Sequence, residues 1–164
     1  MYAVSSLDEG MEWAADTFGA PAAYGGEHVD LGTRNALLSL GSTYLEIIAP
    51  DPAQSQEGNA GAQFANLTSG GMVTWAAEGD LSAIAQALEL AGVSTQGPNR
   101  TQRKTESGEL LVWDLLFPIA SPHAGRMPFF IDWLGCANPK DTNPAGGEFR
   151  ALAITTPDAD DLAG

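Results

Sequence analysis

Residues 2–20, "YAVSSLDEGMEWAADTFGA", and residues 74–93, "TWAAEGDLSAIAQALELAGV", share one pattern, and that likeness decides the fold. Each opens with a short apolar strand and passes an acidic helix-start signal. Apolar residues then follow at helical spacing: Met11, Ala14, Ala15 and Phe18 in the first, Leu81, Ile84, Ala85 and Leu88 in the second. Both close on a glycine, which most cheaply takes the left-handed conformation that ends a helix. Gly19 and Gly92 stand 73 positions apart (92 − 19), and that offset lays Tyr2 on Trp75, Ala3 on Ala76 and Met11 on Ile84.

Three strand-like segments follow each helix: residues 27–31, 35–40 and 44–48, then 100–104, 110–117 and 129–134. The chain therefore reads as an α+β protein of two βαβββ modules, residues 1–50 and 71–135, whose curved sheets form a cleft. Residues 51–70, polar and small with little periodicity, read as the linker. Residues 136–164 form a C-terminal extension. Within it "EFRALAITTPDADDLAG" (148–164) has the look of a strand and an acidic helix start, an incomplete third βα unit. Met1 falls inside the first strand, so relative to its own repeat the chain reads as clipped at both ends. An unpaired strand edge would suit a homodimer.

An acid sits in the last strand of each copy. Along "YLEI" (44–47) the two-residue period puts Tyr44, Glu46 and Ile48 on one face and Leu45 and Ile47 on the other. Matching this stretch to "FIDW" (130–133) sets Glu46 opposite Asp132 at an offset of 86 (132 − 46), with 13 extra residues (86 − 73), most of them in "PIASPHAG" (118–125). If helices cover the Leu45/Ile47 face, both acids line the opposite one.

Composition narrows the partners. Twenty-one acids against seven bases give a net charge of −14, which disfavours nucleic acid and anionic membrane surfaces. Arg100, Arg103 and Lys104 concentrate three of the bases within five residues, either as a solvated hairpin or as a local anion site. Cys136 is the one cysteine, which rules out an internal disulfide and a cysteine-based zinc site and leaves packing as its role. No secretory leader pattern and no apolar run of membrane length is present, so a soluble, cytoplasmic protein is expected.

Three stretches, "GGEHVDLGTRNALLSLGSTYLEIIAPDP" (25–52), "TESGELLVWDLLFP" (105–118) and "PFFIDWLGCANP" (128–139), together resemble the glyoxalase-like domains of the vicinal oxygen chelate (glyoxalase/bleomycin resistance/dioxygenase) superfamily. The resemblance implies paired βαβββ modules around a cleft. It also implies a divalent ion held by first- and last-strand side chains, acting as a Lewis acid on vicinal substrate oxygens. Glu46 and Asp132 occupy the last-strand positions. The Asp-His pair usual in the first strand would fall upstream of Met1, and its second-copy counterpart is Met72, so no residue is assigned as a metal ligand and the cofactor stays open.

Glu46 is the expected proton-transfer base or metal ligand. His28, in the Gly-Gly-x-His stretch, could serve as a general base or hold a substrate oxygen, or it could simply cap a strand end. Arg103 could clamp a carboxylate or phosphate, or pair with Asp114 or Glu46. Asn35, Trp113 and Asp132 complete the expected ligand-binding set. Trp133 is an aromatic wall or core residue, and His123 an exposed loop residue. The function expected is that of a small-molecule lyase, isomerase or dioxygenase, with a non-catalytic module that sequesters a small ligand as the alternative.

Overall fold

Apolar residues on one face of "LDEGMEWAADTF" make helix α1 (Leu7–Phe18), which in the computed structural model packs on a sheet through Leu7, Gly10 and Ala14. The structure describes residues 1–105, 107–119 and 126–163; His123 and most of the "PIASPHAG" loop lie outside them. Gly19 ends α1 in the left-handed region, its N–H reaching Ala15 O. Before α1 comes β1 (Tyr2–Ala3); after it come β2 (Ala23–His28), β3 (Thr33–Ser39) and β4 (Tyr44–Pro50). The second half repeats the order. A short β5 (Gly71–Met72) leads to β6 (Ala76–Glu78), helix α2 (Leu81–Leu90), β7 (Thr95–Lys104), β8 (Leu110–Pro118) and β9 (Phe129–Asp132). Asp80 caps α2 by accepting from the N–H groups of Ser82 and Ala83, and Gly92 takes the left-handed conformation at the position matching Gly19.

All nine strands join one curled mixed sheet in the order β5-β1-β4-β3-β2-β7-β8-β9-β6, so the α+β expectation holds. In each half the strand before the helix runs parallel to the last strand, β1 beside β4 and β6 beside β9, as a helical crossover requires. The halves meet at β2 and β7, where Glu27 pairs with Lys104 and His28 with Arg103. That junction sets a residue of one half against a residue of the other at the centre of the concave face.

Alternation along the strands sorts core from cleft. Leu45, Ile47 and Ala49 of β4 and Ala36 and Leu38 of β3 pack with Leu7 and Ala14 beneath α1, while Tyr44, Glu46 and Ile48 turn to the concave side. Contact between α1 and β4 is close. A β-carbon added at Gly10 would stand 2.7 Å from Ile47 Cγ2 and 2.9 Å from Val4 Cγ2, and Val4 and Ile47 are themselves fully packed. Gly10→Ala is therefore expected to lower the urea midpoint, because overpacking costs about 1–3 kcal/mol against a helix-propensity gain of about 1 kcal/mol. An unchanged or raised midpoint would show that the helix can shift outward freely.

One expectation needs correction. Residues 149–155 form no strand; they lie between two short helices, α3 (Pro139–Thr142) and α4 (Ala159–Ala163). Pairing needs an edge, and the segment lies exposed with Phe149 and Leu152 more than two-fifths accessible. Residues 51–70 run between the two halves and are held by their own hydrogen bonds. Asp51 is buried and accepts from Ala53 N–H and Gln54 Nε2, Gln56 donates to Gly32 O and Asp51 O, and Ala60 and Gln63 of the 3-10 helix Ala60–Gln63 line the cleft.

Candidate active site

The curl of the sheet encloses a cavity of about 460 Å³. β3 and β4 contribute Thr33, Asn35, Leu37, Tyr44, Glu46 and Ile48; β7 contributes Thr101 and Arg103; β8 and β9 contribute Trp113, Leu115, Phe117, Phe129 and Ile131, with Trp133 just beyond. One end is polar and the rest is apolar or aromatic. Five of the six expected residues, Glu46, His28, Asn35, Arg103 and Trp113, line this one space.

Asp132 does not. On β9 it is Phe129, Ile131 and Trp133 that face the cavity, and Asp132 points the other way, where Oδ1 accepts Leu134 N–H at 2.9 Å. The reason is register. Ala3 pairs with Ile48 while its counterpart Ala76 pairs with Phe129, so the last strands correspond at an offset of 81 (129 − 48) rather than 86. The difference of five is odd, and an odd slip turns every side chain to the opposite face. Packing favours this register: the Trp113 and Trp133 rings lie 5.2 Å apart, and the indoles belong inside. At 81, the counterpart of Glu46 is Met127, which also lines the cavity.

Asn35 organises the polar end. Its Oδ1 accepts from Arg103 Nη1 at 3.1 Å, and its Nδ2 donates to Glu46 Oε1 at 2.8 Å. A cation on one side and an anion on the other allow only one orientation of the amide. Nδ2 also lies 3.3 Å from His28 Nε2, which must then accept. That assigns the ring proton to Nδ1, 2.8 Å from Thr33 Oγ1. His28 is thus a neutral imidazole oriented from both sides, its Nε2 3.9 Å from Glu46 Oε1. The positively twisted turn ahead of Thr33, with Asp30 and Gly32 at φ 63° and 65°, brings Thr33 directly opposite His28 across the β2–β3 hairpin.

Burial governs the charges. It pushes His28 below its ordinary pKa, Glu46 opposing and Arg103 adding to the shift. Burial likewise lowers Arg103, against the pull of Glu46 and Tyr44, and burial followed by the Glu46 charge raises the Tyr44 phenol. Because the His28 shift is downward, the unfolded chain binds the extra proton first as pH falls. Stability is therefore expected to be complete above the unfolded value of 6.5 and to decline below it. Urea midpoints at pH 7.5 and 5.5 check this, with His28→Gln expected to flatten the decline; an equally steep decline in that variant would assign it to other groups.

A divalent ion does not fit the donors here. Among the described residues no three His, Cys, Asp or Glu side chains converge. Around Glu46 the neighbours are a histidine whose Nε2 already accepts from Asn35, an amide committed at both ends, and the Arg103 cation. Gly25, Met127 and residues 60–64 also shape the site without being among the expected residues. Gly25 had a signal in the Gly-Gly pair; the other two had none of residue type.

The glyoxalase-like domain profile matches residues 1–164. No curated protein matches the chain. Among solved structures, a hypothetical protein from Staphylococcus aureus superposes with a TM-score of 0.64 at 20% identity, covering 80% of this chain and 56% of its own, so this chain spans little more than half that protein's length. Methylmalonyl-CoA epimerase from Mycobacterium tuberculosis gives 0.54 at 22% identity over 80% of this chain and 81% of that one. A Streptomyces coelicolor methylmalonyl-CoA epimerase variant, in complex with 2-nitronate-propionyl-CoA, gives 0.59 at 19% over 84% and 94%. At such identities the likeness speaks for the fold. With the curled sheet and the full-length profile match together, the chain belongs to the glyoxalase-like domain family and has the vicinal oxygen chelate fold.

Proposed function

We propose that the protein is a small-molecule isomerase or lyase that works by proton transfer at Glu46. The observation that carries this reading is the Glu46 carboxylate on the concave face of an otherwise largely apolar cavity, held by Asn35 with its side chain about one-fifth exposed. A carboxylate fixed by one donor keeps lone pairs for a substrate proton. Glu46 takes a proton from the carbon next to a carbonyl, the C–H electron pair moves to the carbonyl oxygen as an enolate, and return of the proton to the same or the other face completes the exchange. Arg103 supplies the positive field for the oxyanion in a dry site, where such a charge acts strongly. His28, neutral and with Nε2 turned to Glu46, holds the polar end in place and acts through it.

The donors around Glu46 support proton transfer, the isomerase and lyase part of the expectation. The Mycobacterium and Streptomyces epimerases are compatible in fold with such chemistry, and a cytoplasmic protein free of nucleic acid is consistent with the acidic surface. Among the described residues no helix is long and apolar enough to cross a membrane. The test is ¹H NMR of carbonyl compounds bearing an α-hydrogen, incubated with the protein in D₂O. Loss of an α-proton signal faster than in buffer is expected. If saturable ligands bind yet none exchanges, the sequestering module is the better reading, which the apolar walls around a single cationic anchor would equally suit.

A further inference from the structure

We infer that the cavity takes a compact monoanion, a carboxylate on an aryl or branched-alkyl body such as a 2-oxo acid, and does not take a coenzyme A thioester. Arg103 is 4% exposed, and its Nη1 donates to the neutral amide of Asn35. Its Nε has no partner, and among the described residues no carboxylate lies within 4.0 Å of its guanidinium. A buried cation without a counter-ion in contact is costly unless something anionic completes it. Arg103 lines the cavity, and the planar fork suits a carboxylate together with a carbonyl oxygen on the neighbouring carbon. The wall formed by Trp113, Leu115, Phe117, Phe129 and Ile131 offers mainly apolar surface to the body of such a ligand.

A nucleotide tail has nowhere to go. Among the described residues lining the cavity Arg103 is the one side-chain cation, and the Met1 ammonium there already donates to Thr74 O. In the adjoining recess of about 230 Å³, Lys140 and the Met1 ammonium stand with two carboxylates, Glu46 and Glu78, so no net positive charge is left there for a polyphosphate. Arg100 and Arg150 are already paired, with Asp114 and Glu148, and the whole chain carries −14. The general charge of the chain therefore disfavours a polyphosphate.

This inference rests on the cavity proposed as the active site but not on turnover. Isothermal titration of the full chain with phenylpyruvate and 4-methyl-2-oxopentanoate, against their methyl esters and propionyl-CoA, tests it. At least one acid is expected to bind saturably and at least tenfold more tightly than its ester, with no saturable heat from propionyl-CoA. Arg103→Gln should erase the acid-over-ester preference, and the acid/ester ratio on the unaltered chain stands even if that variant fails to fold. Equal binding of acid and ester, no saturable binding by either acid, or tighter binding of the thioester would overturn it. Binding of the acids without proton exchange would sink the proton-transfer reading and leave this one intact; exchange on acid and ester alike would do the reverse.

Discussion

Glu46→Gln is expected to slow α-proton exchange by about 10²–10⁴-fold, the usual contribution of a positioned general base, while leaving the fold and ligand affinity nearly unchanged. Glutamine has the same shape, and its Oε1 can still accept from Asn35 Nδ2 as the carboxylate does at 2.8 Å. What it lacks is a basic lone pair on the second oxygen position. The variant therefore separates two explanations of the Glu46–Asn35–Arg103 geometry: a carboxylate present to balance Arg103 through Asn35, or one present to move a proton. If Glu46 were only a counter-charge, the variant would lose stability and affinity, and the rate per bound ligand would be unaffected. Exchange rate, thermal midpoint and acid affinity measured on the same preparation distinguish the cases, and exchange at the native rate would falsify the catalytic role.

The local patterns that survive folding were legible because they have a short period. Helical spacing and closing glycines in both copies located α1 and α2, and two-residue alternation put Glu46 on the face away from α1. Asp132 went wrong for a long-range reason: its face depends on how β9 pairs with β6 and β8, which is settled by the packing of Trp113, Trp133 and Ile131 and not by residue type. The exposed run 149–155 has strand composition, yet composition cannot supply a partner edge. Likewise the meeting of Arg103 with Asn35 joins two halves of the chain 68 residues apart, through a junction of β2 and β7 that no local signal marks.

That junction explains the Gly-Gly pair and leads to the second large expected effect. Gly25→Ala should unfold the polar end of the site, because a β-carbon there would overlap Arg103 Nη1 and Asn35 Oδ1 and stand 2.9 Å from Leu37 Cδ1. Gly25 does not have a positive φ, so alanine suits its backbone and the cost comes from space alone. Forcing the pair apart breaks a hydrogen bond to a buried charge, worth about 1.5–3 kcal/mol, on top of about 1–3 kcal/mol for overpacking. A loss of roughly 3 kcal/mol or more is expected, enough to consume much of a small domain's stability. Gly19→Ala provides the contrast: its φ is 67° but nothing lies within 4 Å of the added carbon, so it should lose only about 1–2 kcal/mol of left-handed strain. Urea midpoints of the two variants should therefore rank Gly25→Ala as the more damaging. Arg103→Met beside it then decides the cause. If the β-carbon acts by displacing the guanidinium, the two substitutions couple strongly, the second costing far less in the presence of the first; additive losses, or a native midpoint for Gly25→Ala, would mean that the glycine makes no room for Arg103 at all.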